Sequence, residues 1–379
     1  MKKEKLVPEI RFKGFNEKWN INALNELINK FDNLRIPVSE KLRTKGEFPY
    51  YGANGIQDYV SGYTHDGEFV LVAEDGANDL DNYPSKYVNG KFWANNHVHV
   101  IQGKENILDN KFLSFSLKNF HFKPILTGGE RSKLNASALA TIEINKPFIN
   151  EQQKIGQFFS NIDSFIQSEE LKLKKLNEVK QSLLNKMFAL KNQKFPQIRF
   201  KGFEDEWNLD KVCNLFKITR GEVLSQNQIS EFQNEIYTYP VYSSQTLRNG
   251  LMGYYKEYLF ENCITWTTDG ANAGTVKFRN EKFYCTNVCG VLEQGILKPN
   301  SCVAELLNIV APNYVTRAGN PKLMNSTMGE IMINYPNSTI ESSKISTLFM
   351  SFDSLISSQE LKLEKLNNIK QALLEKMFC

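Results

Sequence analysis

Between Ile155 and Phe188 the apolar residues Ile162, Ile166, Leu173, Leu176, Leu183 and Met187 recur at alternating steps of three and four, with Glu169 and Lys180 in two further positions of the same stripe. The segment is rich in Leu, Lys, Glu, Gln and Asn, contains no proline, and has its one glycine, Gly156, at the start, where it costs a helix least. This spacing predicts a long helix with a coiled-coil seam. The pattern returns at an offset of 190 residues, Ile345 to Phe378, with Phe352, Ile356, Leu363, Leu366, Leu373 and Met377 interrupted by Gln359 and Lys370. Each helix, at roughly 34 residues, reaches about 50 Å. So narrow a stripe calls for a second long helix along most of its length, and the simplest partner is the other copy. An ordinary core hairpin has no need to repeat its surface lysines and asparagines. The apolar ends Phe158, Phe159, Leu348 and Phe349 exceed what one helix pair buries and predict a surface for partners.

The repetition extends beyond the helices. Pro8-Glu-Ile-Arg-Phe-Lys-Gly-Phe15 followed by Trp19 returns as Pro196-Gln-Ile-Arg-Phe-Lys-Gly-Phe203 followed by Trp207. A period near 190 residues is too long for a solenoid and means two domains, each followed by its own helix. The predicted divisions are residues 1–150, a helix over 151–194, residues 195–340 and a helix over 341–379. Between the anchors only islands are shared: Asp75-Gly-Ala-Asn78 with Asp269-Gly-Ala-Asn272, Lys91-Phe-Trp with Lys282-Phe-Tyr, and Lys133-Leu134 with Lys322-Leu323. Phe69–Ala73 and Cys263–Trp266 read as strands ending in the hairpin signals Asp75-Gly76 and Asp269-Gly270. Phe92 to Ile101 and Phe283 to Leu292 are further strand candidates, so the fold class is α+β with mixed sheets. The tryptophans Trp19 and Trp207 are expected in the cores.

The 379 residues are 41% hydrophobic, enough for several cores, and no run approaches a membrane span. No secretion signal is present, and a cytoplasmic location is expected. The net charge of +4 permits nucleic-acid binding without demanding it. All six cysteines, Cys213, Cys263, Cys285, Cys289, Cys302 and Cys379, lie in the second half, whereas His65, His97, His99 and His121 lie in the first. A zinc site would want them together. Cys285 with Cys289, and His97 with His99, could each share one strand face, but neither pair has further ligands, so no metal is expected and the thiols read as reduced and buried.

Paired variable domains, each opening with a PxIRFKGF…W segment and closing with a near-identical helix, resemble the specificity subunit of type I restriction-modification systems. The likeness covers the whole chain and rests on the duplicated order of these segments. It implies two tandem target recognition domains, each reading one half of a split double-stranded DNA site, and two helices packed as an antiparallel coiled-coil spacer. It further implies two docked methyltransferase subunits and restriction-translocation subunits joining that core. Reading two half-sites requires two different surfaces held at fixed separation and phase, which agrees with divergent loops on a repeated frame.

Arginine pairs with guanine, and asparagine or glutamine with adenine. The candidate DNA-contacting residues of the first domain are therefore Arg43, Lys45, Tyr51, Asn54, Gln57, Asn78, Arg131 and Lys133. Those of the second are Arg220, Ser244, Gln245, Arg248, Asn272, Arg317 and Lys322. They include the loops Thr127–Lys133 and Thr316–Lys322, which join glycine freedom to cationic and amide side chains. The shared Asp-Gly-Ala-Asn turns read as structural, since a common loop cannot explain different half-sites.

An amino-methyltransferase would need an Asn/Asp-Pro-Pro-Tyr/Phe segment, but Asn82-Tyr-Pro and Asn334-Tyr-Pro lack the second proline. A motor would need a phosphate loop ending in Lys-Ser/Thr, and Gly270 to Gly274 has the wrong spacing. The chain is therefore expected to be non-catalytic by itself, with S-adenosylmethionine, ATP and Mg belonging to partner subunits. The rival readings are a nucleic-acid-modifying enzyme of unfamiliar motif and a coiled-coil interaction scaffold without base-specific DNA binding.

Overall fold

A computed structural model describes residues 6–129, 132–189, 193–244 and 247–379, with only the backbone considered at 247 and 248. The chain divides into two compact units: residues up to Leu171 together with Leu361–Cys379, and Lys172–Glu360. Each unit therefore holds one globular domain, the first half of the long helix that follows it, and the second half of the other long helix. These helices run Ile149–Met187 and Thr339–Met377, 39 residues each, beginning six residues earlier than the apolar seam alone indicated.

In the first unit the strands are β1 (Asn20–Ala23), β2 (Ile28–Lys30), β3 (Lys45–Gly52), β4 (Gly55–Val60), β5 (His65–Ala73), β6 (Ser85–Ala94), β7 (Val98–Gly103) and β8 (Glu143–Lys146). Six of them form one sheet in the order β2-β7-β5-β6-β3-β4, and β1 pairs with β8. The sheet is mixed because β3 runs parallel to β6 while its other pairings are antiparallel. The run Phe69–Ala73 is apolar throughout because both faces of β5 are covered. Val70 and Val72 enter the main core with Phe112, whereas Phe69 and Leu71 pack on the other side with Phe92, Val98 and Val100.

The main core is closed by the helix Asn110–Lys118, whose N-cap Asp109 accepts the Phe112 N–H at 2.8 Å. Trp19, Phe112, Phe159 and Phe378 meet here, so the end of the second long helix completes the first domain's core. Gly156 lets the first long helix approach this cap: a Cβ there would lie 2.8 Å from the Phe112 nitrogen and from Lys111 Cβ.

The second unit repeats the plan with β9 (Asn208–Lys211), β10 (Phe216–Arg220), β11 (Tyr239–Tyr242), β12 (Leu251–Tyr255), β13 (Phe260–Thr267), β14 (Val276–Cys285), β15 (Cys289–Gln294) and β16 (Met332–Tyr335). The sheet order is β10-β15-β13-β14-β11-β12, the same as in the first unit, with β9 paired to β16. Phe188, Trp207 and Phe349 join in its core beside the helix Ser301–Val310.

Within each unit the two helix segments run antiparallel. In the first unit Glu169, 1% exposed, meets Lys362 at 2.7 Å and Asp163 meets Lys370 at 2.5 Å; in the second, Lys180 meets Asp353 at 2.7 Å and Glu305 at 3.0 Å. The polar interruptions Glu169, Lys180 and Lys370 are thus ion pairs inside the seam. Ile166, Met187, Leu363 and Met377 are buried, and Ile162, Leu173, Leu176, Leu183, Phe352, Ile356, Leu366 and Leu373 are half-buried. Both opening segments are fastened by a bidentate ion pair: Arg11 to Glu151 at 2.7 Å, and Arg199 to Glu341 at 2.6 and 2.9 Å.

Several expectations need correction. Phe159 and Phe349 are fully buried in the domain cores, and Phe158 and Leu348 pack against them, so these apolar ends are covered by the globular domains within each unit. Asp75-Gly76 and Asp269-Gly270 lie in longer connections, 74–84 and 268–275, and are not two-residue hairpin turns. Their backbones instead bridge to Lys133 and Lys322. The candidate strands Phe92 to Ile101 and Phe283 to Leu292 each break in two, because β6 and β7 flank β5 on opposite sides, as β14 and β15 flank β13. Cys285 and Cys289 consequently sit on different strands. Burial pushes the Cys289 thiol up to about 11.

Candidate nucleic-acid interface

In the first domain the candidate side chains are linked by short polar contacts. Arg43 is fixed by its Nε on the Val38 carbonyl at 3.1 Å and by the Tyr50 ring 4.2 Å below its guanidinium, and it reaches Gln57 Oε1 at 3.5 Å. Asn54, exposed in the turn between β3 and β4, donates to the Gly76 carbonyl at 2.9 Å and accepts from the Asn78 N–H at 2.9 Å. The shared turn is therefore a brace that presents Asn54 and Asn78. Lys45 is exposed at the start of β3. Tyr51 is 7% exposed and packs edge-on against Phe92, which places it in the core rather than at a readable surface. Arg131 lies outside the described residues.

Thr127 and Lys133 exchange both backbone hydrogen bonds, at 2.9 and 2.7 Å. Lys133 Nζ reaches Glu74 at 3.2 Å, and Glu74 also takes Arg35 at 2.6 Å. Burial works against the Glu74 charge, but Arg35, His99 and Lys133 together hold its carboxyl below the usual carboxylate range. His99, 1% exposed, meets Asp32 Oδ2 through Nδ1 at 2.7 Å and the Leu134 carbonyl through Nε2 at 2.8 Å. His97 pairs with Asp75. No local signal announced this network, because Asp32, Glu74, His99 and Lys133 come from four separate stretches of chain.

The second domain builds the same loop differently. Thr316 and Lys322 exchange backbone hydrogen bonds at 2.9 and 3.0 Å, and Lys322 meets Asp269 at 3.4 Å. Arg317 is exposed on this loop. Arg220, exposed at the end of β10, opens onto a concavity of about 510 Å³ that it shares with Thr268, Asp269 and Asn325. Asn272 is half-buried in a second concavity of about 160 Å³, lined also by Asn249, Lys277 and Arg279. Sequence reasoning passed over Arg279, which is set by burial: its guanidinium lies 3.6 Å from the Tyr242 ring centre and donates to the Asn249 carbonyl at 2.8 Å. Ser244 is half-buried just past β11; Gln245 and the side chain of Arg248 lie outside the described residues.

Each domain thus presents amide and cationic donors on braced loops, a chemistry suited to phosphates and base edges. Among the described residues, no group of three or more His, Cys, Asp or Glu side chains is arranged to hold a metal ion, and no helix is long and apolar enough to cross a membrane.

The family model described as the type I restriction modification DNA specificity domain matches residues 16–181 and again residues 204–368. A putative type I restriction enzyme specificity subunit of Haemophilus influenzae is 49% identical over 155 residues, covering 41% of this chain and 40% of that protein. A putative type I specificity subunit of Mycoplasma pneumoniae is 32% identical over 223 residues, 57% of this chain and 83% of that protein. Another from the same organism is matched over 43% of its length, so for it and the Haemophilus protein the chain spans less than half of the relative. In fold, the S subunit of a type I restriction-modification system from M. genitalium superposes with a TM-score of 0.79 at 16% identity, over 98% of this chain and 99% of that one. With both halves matched, the chain belongs to the type I restriction-modification DNA specificity family.

Proposed function

We propose that this chain is the DNA-reading subunit of a type I restriction-modification complex. Each globular part, residues 1–150 and 195–340, reads one half of a split double-stranded site. The helices over 151–194 and 341–379 set the distance and phase between the half-sites. Two methyltransferase subunits dock on the helices, restriction-translocation subunits join that core, and the assembly works in the cytoplasm. The chain positions these partners and performs no chemistry itself; S-adenosylmethionine, ATP and Mg belong to them.

The observation that carries this reading is the duplication of one frame, down to the Arg11–Glu151 and Arg199–Glu341 clamps, beneath loops whose side chains differ. A shared frame with divergent loops is what two unlike half-sites on one duplex require. The test is to express the chain with a matching methyltransferase subunit in a host lacking its own systems and to sequence the methylated sites. A split motif that depends on this chain supports the reading; no new methylation from an assembled complex defeats it. Affinity for duplex DNA should also fall steeply with salt, whereas a protein-binding scaffold would show no such slope.

A further inference from the structure

The sheets of the two domains carry a small concavity at the same place. In the first domain it measures about 200 Å³ and is lined by Leu71 and Ala73 at the end of β5, with Lys86 and Val98 on the flanking strands. In the second it measures about 160 Å³ and is lined by Thr265 and Thr267 at the end of β13, with Lys277 and Cys289 on the flanking strands. Strand register makes the two places equivalent. Leu71 stands opposite Lys86 and Ala73 opposite Val98, as Thr265 stands opposite Lys277 and Thr267 opposite Cys289. The floor has changed from apolar to hydroxyl-bearing, and the lysine has stayed.

These two lysines differ from the cations described above. Arg43, Lys133 and Lys322 each have a carboxylate nearby, from Asp58, Glu74 and Asp269, and Arg220 shares its concavity with Asp269. No acidic residue is among the described residues that line either recess, and among the described residues neither Lys86 nor Lys277 has a carboxylate within ion-pair distance. Lys86 Nζ lies 5.8 Å over the Tyr51 ring. In the second domain the tyrosine at that register position, Tyr242, carries Arg279 over its ring at 3.6 Å. Arg279 follows Lys277 by two residues on β14, where β6 has the apolar Val88 two residues after Lys86. Burial works against the Arg279 charge and sets its guanidinium below the usual value, a cost that an anion beside it would offset.

A lysine kept at one register position in two domains with unlike loops carries no sequence information. What two unlike half-sites share is the phosphate backbone. Phosphates stand on the outside of a duplex, and a recess with room for several waters has room for the oxygens of one of them. We propose, resting on the DNA-reading function above, that each recess seats one backbone phosphate of the bound duplex, with Lys86 and Lys277 as the positioning residues and Arg279 making the second seat doubly cationic. The seats fix the register of each domain on its half-site, and the divergent loops choose the bases.

The full chain, assembled with its methyltransferase subunit, is bound to a duplex carrying the split site found by methylation sequencing, and each phosphate of the half-sites is replaced in turn by an uncharged methylphosphonate. Wild-type binding should weaken at a defined phosphate in each half-site. Lys86→Gln should lose that sensitivity in one half-site and Lys277→Gln in the other, with the methylated motif unchanged. Each variant should also flatten the slope of log affinity against log salt by about one, and Lys277→Gln with Arg279→Gln by about two. Lys277→Arg keeps the charge at this half-buried position and should restore the wild-type slope, which separates a lost phosphate contact from a damaged fold. A wild type insensitive to every methylphosphonate, unchanged slopes in the glutamine variants, or a changed base in either half-site would overturn the phosphate seats. A complex that methylates no split motif would instead count against the DNA-reading function itself.

Discussion

At the scale of single residues, the strongest determinants are charges placed where water is absent. Glu151 is 1% exposed and depends on Arg11 for both carboxylate oxygens. Replacing Arg11 by Met should cost about 3–5 kcal/mol, because it strands a buried charge, whereas replacing both partners with apolar residues should cost much less. Urea unfolding of the two variants would show this, and equal losses would mean that the pair acts through packing alone. Asp32 carries a pH dependence. Burial opposes its charge, but hydrogen bonds from His99 and the Val100 N–H outweigh it and hold its carboxyl below the usual range. Such a group binds a proton less readily folded than unfolded. Its stabilisation is complete above the unfolded-state value, about 3.9, and disappears as the pH falls through the lower folded-state value. Asp32→Asn should therefore make the acid limb of stability against pH shallower, read from urea midpoints over that range. The anchors Trp19 and Trp207 were legible as core residues from their place after the repeated opening segment. Tyr51 was not, because alternation along a strand covered on both faces does not say which side faces water.

At the scale of elements, the course of the long helices was readable, since a stripe at steps of three and four admits few alternatives. Their first turns were not, because residues 149–154 and 339–344 pack against the globular domains and do not follow the seam. Gly156 illustrates the difference. As a helix residue it is a weakness; in the fold a Cβ there would stand 2.8 Å from Asp109 Oδ1 and the Phe112 nitrogen at another helix's N-terminus. Gly156→Ala, which should gain in intrinsic helix propensity, is expected instead to destabilise the chain by about 1–3 kcal/mol through overpacking. The equivalent Ser346 accepts the Cys302 N–H at 2.9 Å, so Ser346→Ala should cost only about 0.5–1.5 kcal/mol. A stabilised Gly156→Ala protein in thermal or urea unfolding would refute this packing account. The strands were harder to read: the runs crossing from β6 to β7 and from β14 to β15 look continuous because both ends are apolar, and only sheet pairing breaks them.

At the scale of the whole molecule, the predictions concern spacing and modularity. Inserting or deleting a few residues between Lys172 and Lys180 should change the gap between half-sites and leave both half-site sequences as they were. Exchanging residues 20–145 for those of another family member should change one half-site only. Sequencing of methylated DNA reads both outcomes, and altered bases in the first experiment or two altered half-sites in the second would defeat the modular account.

The amino-acid sequence by itself determined the duplication, the helical seam, the order of globular and helical parts and the family, because each is written in local periodicity or in the repetition of whole segments. Tertiary structure alone decided which polar residues become surface and which become support. Glu169 and Lys180, polar residues in an apolar stripe, are seam ion pairs only because antiparallel packing brings Lys362 and Asp353 to them. His99 meets Asp32 and the Leu134 carbonyl only because the sheet brings together residues far apart in the chain. Distances of that kind arise from the closing of the sheet, and no local pattern of hydrophobic and polar positions encodes them.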